Sequence, residues 1–162
     1  MDKGIEPLLS FYADHYFRIY LRLKENAAAA EHSLLNLDYL TFDRETLVRE
    51  VSHEFNREAA GPLWIAPITD KGILDNMTKL DSLEHPVRCA KYLNLWKNEL
   101  DVPFFYENNE LSSFLHRSPP ELERLLERIR KQGSASRTHF SPSGFKTDLS
   151  LKELLSLYPE VS

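Results

Sequence analysis

The stretch from Arg117 to Lys146 gathers side chains suited to holding an anion. Arg117, Arg124, Arg128, Arg130, Lys131, Arg137 and Lys146 stand there against only Glu121, Glu123 and Glu127. Seven basic residues against three acidic ones leave a surplus of four positive charges, whereas the other thirteen basic and twenty-two acidic residues give the rest of the chain −9. The formal net charge of −5 speaks against a polyanionic partner. The uneven distribution speaks for a basic patch on an acidic body. Arg124, Arg128, Lys131, Arg137, His139 and Lys146, with the hydroxyls of Thr138 and Ser141, are therefore expected to approach the phosphates of a polynucleotide. Such contacts supply affinity and salt dependence rather than base reading. Two competing expectations stand beside this one. Arg124 and Arg128 could pair with Glu121, Glu123 and Glu127 at helical spacing, and Arg137 to Phe140 could touch another domain.

A second constellation is Tyr16, Arg18, Tyr20, Arg22 and Lys24, alternating with Phe17, Ile19, Leu21 and Leu23. Period two predicts a strand with one buried apolar face. Its other face, with aromatics and cations, suits either RNA stacking or a domain interface. Asp14-His15 reads as structural, not as an acid-base pair. The six histidines, at positions 15, 32, 53, 85, 116 and 139, show no metal-ligand spacing. Cys89 is the single cysteine, so it forms no internal disulfide and reads as a small buried hydrophobe.

The elements that must position these groups follow from periodicity and punctuation. After the strand through residues 15–24, Asn26 is placed to cap a helix rich in alanine, with Leu34, Leu35 and Leu37 on one side. Residues 46–55 and the segment after Gly61-Pro62 read as strands, and Asp70 caps a short helix bearing Ile73, Leu74, Met77 and Leu80. Pro86 opens the next helix, with Ala90, Leu93 and Leu100 on one face and Trp96 or Lys97 completing it. Phe104 to Tyr106 is extended, and Asn109 is expected to cap a helix containing Leu111, Phe114 and Leu115. Ser118-Pro119-Pro120-Glu121 predicts a capping box ahead of a helix whose stripe is Leu122, Leu125, Leu126 and Ile129. Gly133 ends it. A hairpin turning at Ser141-Pro142-Ser143-Gly144 and a last amphipathic helix, Leu149 to Tyr158, follow.

The expected fold class is α+β: a ferredoxin-like β-α-β-β-α unit over residues 1–80, then a winged-helix-like unit with a C-terminal helix over 81–162. At 162 residues, 42% hydrophobic and 28% charged, the chain has the composition of a folded protein. No apolar run approaches the roughly 20 residues of a membrane helix, the N-terminus does not resemble a signal peptide, and the single cysteine fits a cytoplasmic location.

Three segments, PLLSFYADHYFRIY at Pro7 to Tyr20, GPLW at Gly61 to Trp64, and SRTHFSPSGFKT at Ser136 to Thr147, resemble the tRNA (guanine-N2) dimethyltransferases of archaea and eukaryotes. The last string is the most specific. Order and spacing agree as well, so the resemblance runs from Gly4 onward. It implies a tRNA-binding role beside an N-terminal Rossmann-like domain that binds S-adenosylmethionine. In that family, methylation falls on a guanosine between the D arm and the anticodon arm. The chain has no GxG-type loop and no Asp-Pro dipeptide. It is therefore expected to be the C-terminal part, as a fragment or a separately encoded half, with no cofactor of its own, no metal and no methyl transfer when alone. Members with paired cysteines before Gly-Pro-Leu-Trp differ from this chain, which has none there. A stand-alone winged-helix nucleic-acid binder, or a module that merely docks on the catalytic domain, is the alternative.

Overall fold

A computed structural model describes residues 2–158. Strands β1 (Gly4–Ala13) and β2 (Tyr16–Lys24) form an antiparallel ribbon. Asp14 and His15 make its turn, and Asp14 takes a left-handed φ of 55°, which a short polar side chain tolerates. Helix α1 (Ala27–Leu35) begins where Asn26 accepts a hydrogen bond from the Ala29 N–H at 2.8 Å. The Ser33 hydroxyl accepts from the Ile5 N–H and so ties α1 to β1. Strand β3 (Leu37–Phe42) follows at once and pairs antiparallel with β4 (Arg49–Ser52) and β5 (Ala60–Trp64). Helix α2 (Lys71–Asp75) is capped by Asp70, as expected, but it ends before Met77, and Leu80 belongs to a separate 3-10 turn.

This corrects the ferredoxin-like reading of the first half. Its strands fall into two sheets, β1-β2 and β4-β3-β5, not one. The β-α-β-β-α order omitted β1 and β3. The chain leaving α1 enters β3, whose partners β4 and β5 both run antiparallel to it, so α1 does not form a crossover back to the first ribbon.

In the second half, α3 (Pro86–Asn98) is followed by β6 (Tyr106–Glu107), α4 (Asn108–Phe114), α5 (Leu122–Ile129), β7 (Ala135–Arg137), β8 (Gly144–Thr147) and α6 (Leu151–Leu157). The sheet order is β6-β8-β7. The predicted turn forms, with the Gly144 N–H donating to the Ser141 carbonyl at 3.2 Å. Two caps differ from expectation. Glu107, not Asn109, stands at the cap of α4. Glu121 stands at the cap of α5 with no side-chain bond, so Ser118 makes no capping box. A capping box does form at α6, between Ser150 and Glu153.

Two apolar cores hold the molecule together, and both cross residue 80. The larger is built of Leu111, Leu125, Leu126, Ile129, Phe145, Leu154, Leu157 and Tyr158, and it also takes in Leu47 and Phe42. The smaller joins Leu9 and Leu74 to Leu93, with Phe11, Leu80 and Trp96 against them. Arg49 adds a polar pin. Its guanidinium lies 5.1 Å from the Phe42 ring and 4.7 Å from the Tyr106 ring, donates to the Phe105 carbonyl and pairs with Glu110. Burial raises the Tyr106 hydroxyl pKa, and the Arg49 charge opposes that rise. No helix among the described residues is long and apolar enough to cross a membrane.

Candidate nucleic-acid interface

The polar string of the β7–β8 hairpin turns inward. Its target is Glu99, at the end of α3, which is 7% exposed. The Thr138 hydroxyl donates to Glu99 Oε1 at 2.9 Å, and the His139 N–H donates to Oε2 at 3.0 Å. His139 Nδ1 lies 2.6 Å from the same Oε2, and the Lys146 ammonium lies 3.0 Å from Oε1. Lys146 also donates to the Leu100 carbonyl, and the Leu100 N–H donates to the Ser136 hydroxyl. From the other side, Lys71 donates to the carbonyls of Trp96 and Glu99 at 2.8 and 2.6 Å. Two ammonium groups therefore meet the open carbonyls at the C-terminal end of α3 and just beyond it, where a helix presents partial negative charge. Burial pushes the Glu99 carboxyl up, but the His139 hydrogen bond and charge, with the Lys146 charge and hydrogen bond, outweigh it and hold Glu99 down at about 2.

This arrangement corrects the expected outward cationic surface. Lys146 is 6% exposed and Thr138 3%. The His139 side chain is also enclosed, and its Nε2 has no hydrogen-bond partner. These three groups are spent on a buried carboxylate, because a segment this polar can enter the interior only if its charges and donors are matched there. The other candidates stay nearer the surface. Arg137 pairs with Glu123 at 2.5 Å, and Arg124 pairs with Glu121 at 3.2 Å, both in solvent. Lys131 is exposed just beyond α5, while Arg128 and Ser141 are half-buried.

The β2 ribbon departs from expectation in the opposite sense. Phe17, Ile19 and Leu23, read as its buried face, are 72%, 65% and 63% exposed. Tyr16, Arg18, Tyr20, Arg22 and Lys24 are exposed too. Arg18 lies 5.0 Å from the Tyr16 ring, and Arg22 and Lys24 both pair with Glu6 across the ribbon. The alternation is real, but β2 pairs with β1 alone, and no described element covers its apolar side. Leu34 and Leu35 of α1 are likewise open to solvent.

Between α3 and the hairpin runs a groove of about 650 Å³. Arg88, Lys91 and Tyr92 line it from α3, and Arg137, His139 and Ser141 line it from the hairpin. Arg88 pairs with Asp14 at 2.6 Å and lies against Tyr92. Asp14 therefore serves a turn and an ion pair. Sequence reading missed Glu99, Arg88 and Lys91. One signal for Glu99 existed: the string Ser136 to Thr147 holds two cations and a histidine without any carboxylate, so a buried cation there needed a partner from elsewhere. Nothing in the sequence said which. Among the described residues no group of three or more His, Cys, Asp or Glu side chains could hold a metal ion.

The pattern describing the N2,N2-dimethylguanosine tRNA methyltransferases matches residues 1–158. The chain belongs to this family. It is 40% identical over 154 residues to the tRNA (guanine(26)-N(2))-dimethyltransferase of Pyrococcus abyssi, covering 91% of this chain and 41% of that protein. The enzyme of the same name from Thermococcus kodakarensis is 38% identical over 154 residues, covering 90% or more of this chain (91%) and 40% of its own length. The fold superposes with a TM-score of 0.89, at 32% identity, on Trm1 from Pyrococcus horikoshii in complex with S-adenosyl-L-methionine, covering 96% of this chain and 44% of that one. The chain thus spans about two fifths of the length of these family members. Trp64 of Gly-Pro-Leu-Trp lines a cleft together with Phe140 and Lys146 of the hairpin string, so these two stretches of sequence meet in one place.

Proposed function

We propose that this chain is the tRNA-binding part of a guanine-N2 dimethyltransferase. The methyl group would come from S-adenosylmethionine held by a separate catalytic domain. The observation that carries the reading is the match of residues 1–158 to tRNA dimethyltransferases that are more than twice as long. The open apolar side of β2 and α1 supports it, since exposed apolar area on this scale suits a contact with further protein. The catalytic domain is the partner we assign to that face. Tyr16, Arg18, Tyr20, Arg22 and Lys24 then border the contact.

For tRNA, Arg124, Arg128, Lys131 and Arg137, with Ser141, are the proposed phosphate-facing groups, and Thr138, His139 and Lys146 support them from behind. The second half is read as winged-helix-like. The order α3, β6, α4, α5, β7, β8 with a three-stranded sheet supports this, and the division near residue 80 is proposed for the order of elements along the chain alone, since both cores pack across it. A cytoplasmic setting fits the lone, unpaired Cys89.

The test is direct binding of this chain to an unmodified tRNA transcript over a range of salt. Binding that weakens linearly in log salt is expected. Absence of binding at low salt would remove the tRNA role. Incubation of the chain with tRNA and S-adenosylmethionine is expected to give no methyl incorporation.

A further inference from the structure

We infer that the groove between α3 and the β7–β8 hairpin seats the ribose-phosphate backbone of an RNA strand. This rests on the tRNA-binding reading above and gives it a location that neither the basic helix nor the hairpin alone suggested.

The charge of the lining comes first. Three of its residues are cations, Arg88, Lys91 and Arg137, and none is a carboxylate. They stand on opposite walls, Arg88 and Lys91 one turn apart on α3 and Arg137 on the hairpin. A strand lying between them meets positive charge from both sides, and a concave site concentrates that field. The nearest buried carboxylate, Glu99, is already matched by Lys146 and His139 and adds no free negative charge beneath the groove.

The cations are also available. Arg88 and Arg137 rest on Asp14 and Glu123, but both pairs are about half exposed, and pairs in solvent hold their partners weakly. A phosphate can replace the carboxylate with two parallel guanidinium hydrogen bonds. Lys91 is exposed and has no charged partner among the described residues.

The wall is held in place before any ligand arrives. Thr138 and His139 are fixed to Glu99, so Arg137 and Ser141 are presented with little ordering cost on binding. The volume exceeds that of a single phosphate, and Tyr92, Leu95 and Pro142 give the groove apolar surface for a ribose. An acidic peptide shares the charge but not the alternation of anionic and sugar units, and it becomes an outcome of the test.

The experiment measures affinity of the chain for an unmodified tRNA transcript as a function of salt, for the parent and for Lys91→Glu, Lys91→Glu with Arg88→Glu, and Lys152→Glu. Lys91 has no ion pair to lose, so its variant should melt like the parent. Lys91→Glu is expected to weaken binding on the order of tenfold and to lower the log-log salt slope by about one. The double variant should lose more, and Lys152→Glu, at an exposed position of α6 outside the groove, should change affinity less than about twofold by the same reasoning. If the parent binds tRNA and both groove variants keep its affinity and slope, the groove assignment is overturned while the tRNA role stands. If the parent does not bind, both fall. If an oligo-glutamate peptide binds more tightly than the transcript and loses affinity in Lys91→Glu, the groove is a protein contact and the inference is wrong.

Discussion

The β1–β2 ribbon and the β7–β8 hairpin are both antiparallel pairs, and each reverses what its composition suggests. β2 alternates apolar residues with tyrosines and cations, yet Phe17, Ile19 and Leu23 are open to solvent. The hairpin carries serine, threonine, histidine and lysine, yet Ser136, Thr138, Lys146 and Thr147 are buried. Hydropathy tells which side of a strand is able to be covered. Whether it is covered depends on what else the chain supplies. A polar segment, conversely, can be interior when a single acceptor such as Glu99 satisfies several of its donors at once.

The largest effect expected from this contrast is at Glu99. Glu99→Ala leaves the Lys146 ammonium enclosed without its counter-ion, and loss of one partner of a buried pair costs about 3–5 kcal/mol. Chemical denaturation of the two proteins measures it, and a loss below about 1 kcal/mol, the range of an exposed pair, would place the cluster at the surface.

Acid should act on the same group. The Glu99 carboxyl is held from 4.5 down to about 2 in the folded chain. Its contribution is complete above pH 4.5 and is lost as pH falls from 4.5 toward 2. The shift corresponds to on the order of 3 kcal/mol. Thermal melts across that interval should show Tm falling in the parent more steeply than in Glu99→Gln, and parallel curves would assign the acid sensitivity to other carboxylates.

The ribbon should respond in the opposite way. Phe17→Ser with Ile19→Ser removes exposed side chains, so folding stability should change by less than about 1 kcal/mol, as at other open surface positions. Association with a SAM-binding domain supplied in trans should weaken. A loss of several kcal/mol would mean that this face is buried within the chain after all. The smallest effect is expected at Arg137→Gln, which removes a half-exposed pair with Glu123 and should cost about 0–1 kcal/mol.

Much of the local structure was legible. The Asn26 and Asp70 caps, the Pro86 helix, the stripe Leu125, Leu126 and Ile129, and the Ser141 to Gly144 turn all depend on short-range chemistry, and all appear. What failed depends on distance along the chain. β3 follows α1 after Asn36 alone, a single turn residue that leaves no loop to separate the two, and its register comes from β4 and β5. Ser118 lost its cap because α5 starts later, while the Asn108 side chain holds the Pro120 carbonyl at 2.8 Å. The basic surplus from Arg117 to Lys146 was counted correctly, but counting does not reveal that Lys146 meets a carboxylate 47 positions earlier, at Glu99. Arg88 and Lys91 lay outside the counted stretch, and only the packing of α3 beside the hairpin brings them to Arg137.

Competitive acetylation of the folded chain, with mass-spectrometric readout at each lysine, tests most directly whether the hairpin's charge is turned inward. Lys146, ion-paired and enclosed, should remain unmodified while Lys91 and Lys131 are labelled, and should react only once the chain is unfolded. Labelling of Lys146 at the rate of Lys91 under native conditions would contradict the buried Glu99 cluster and return that cation to the surface.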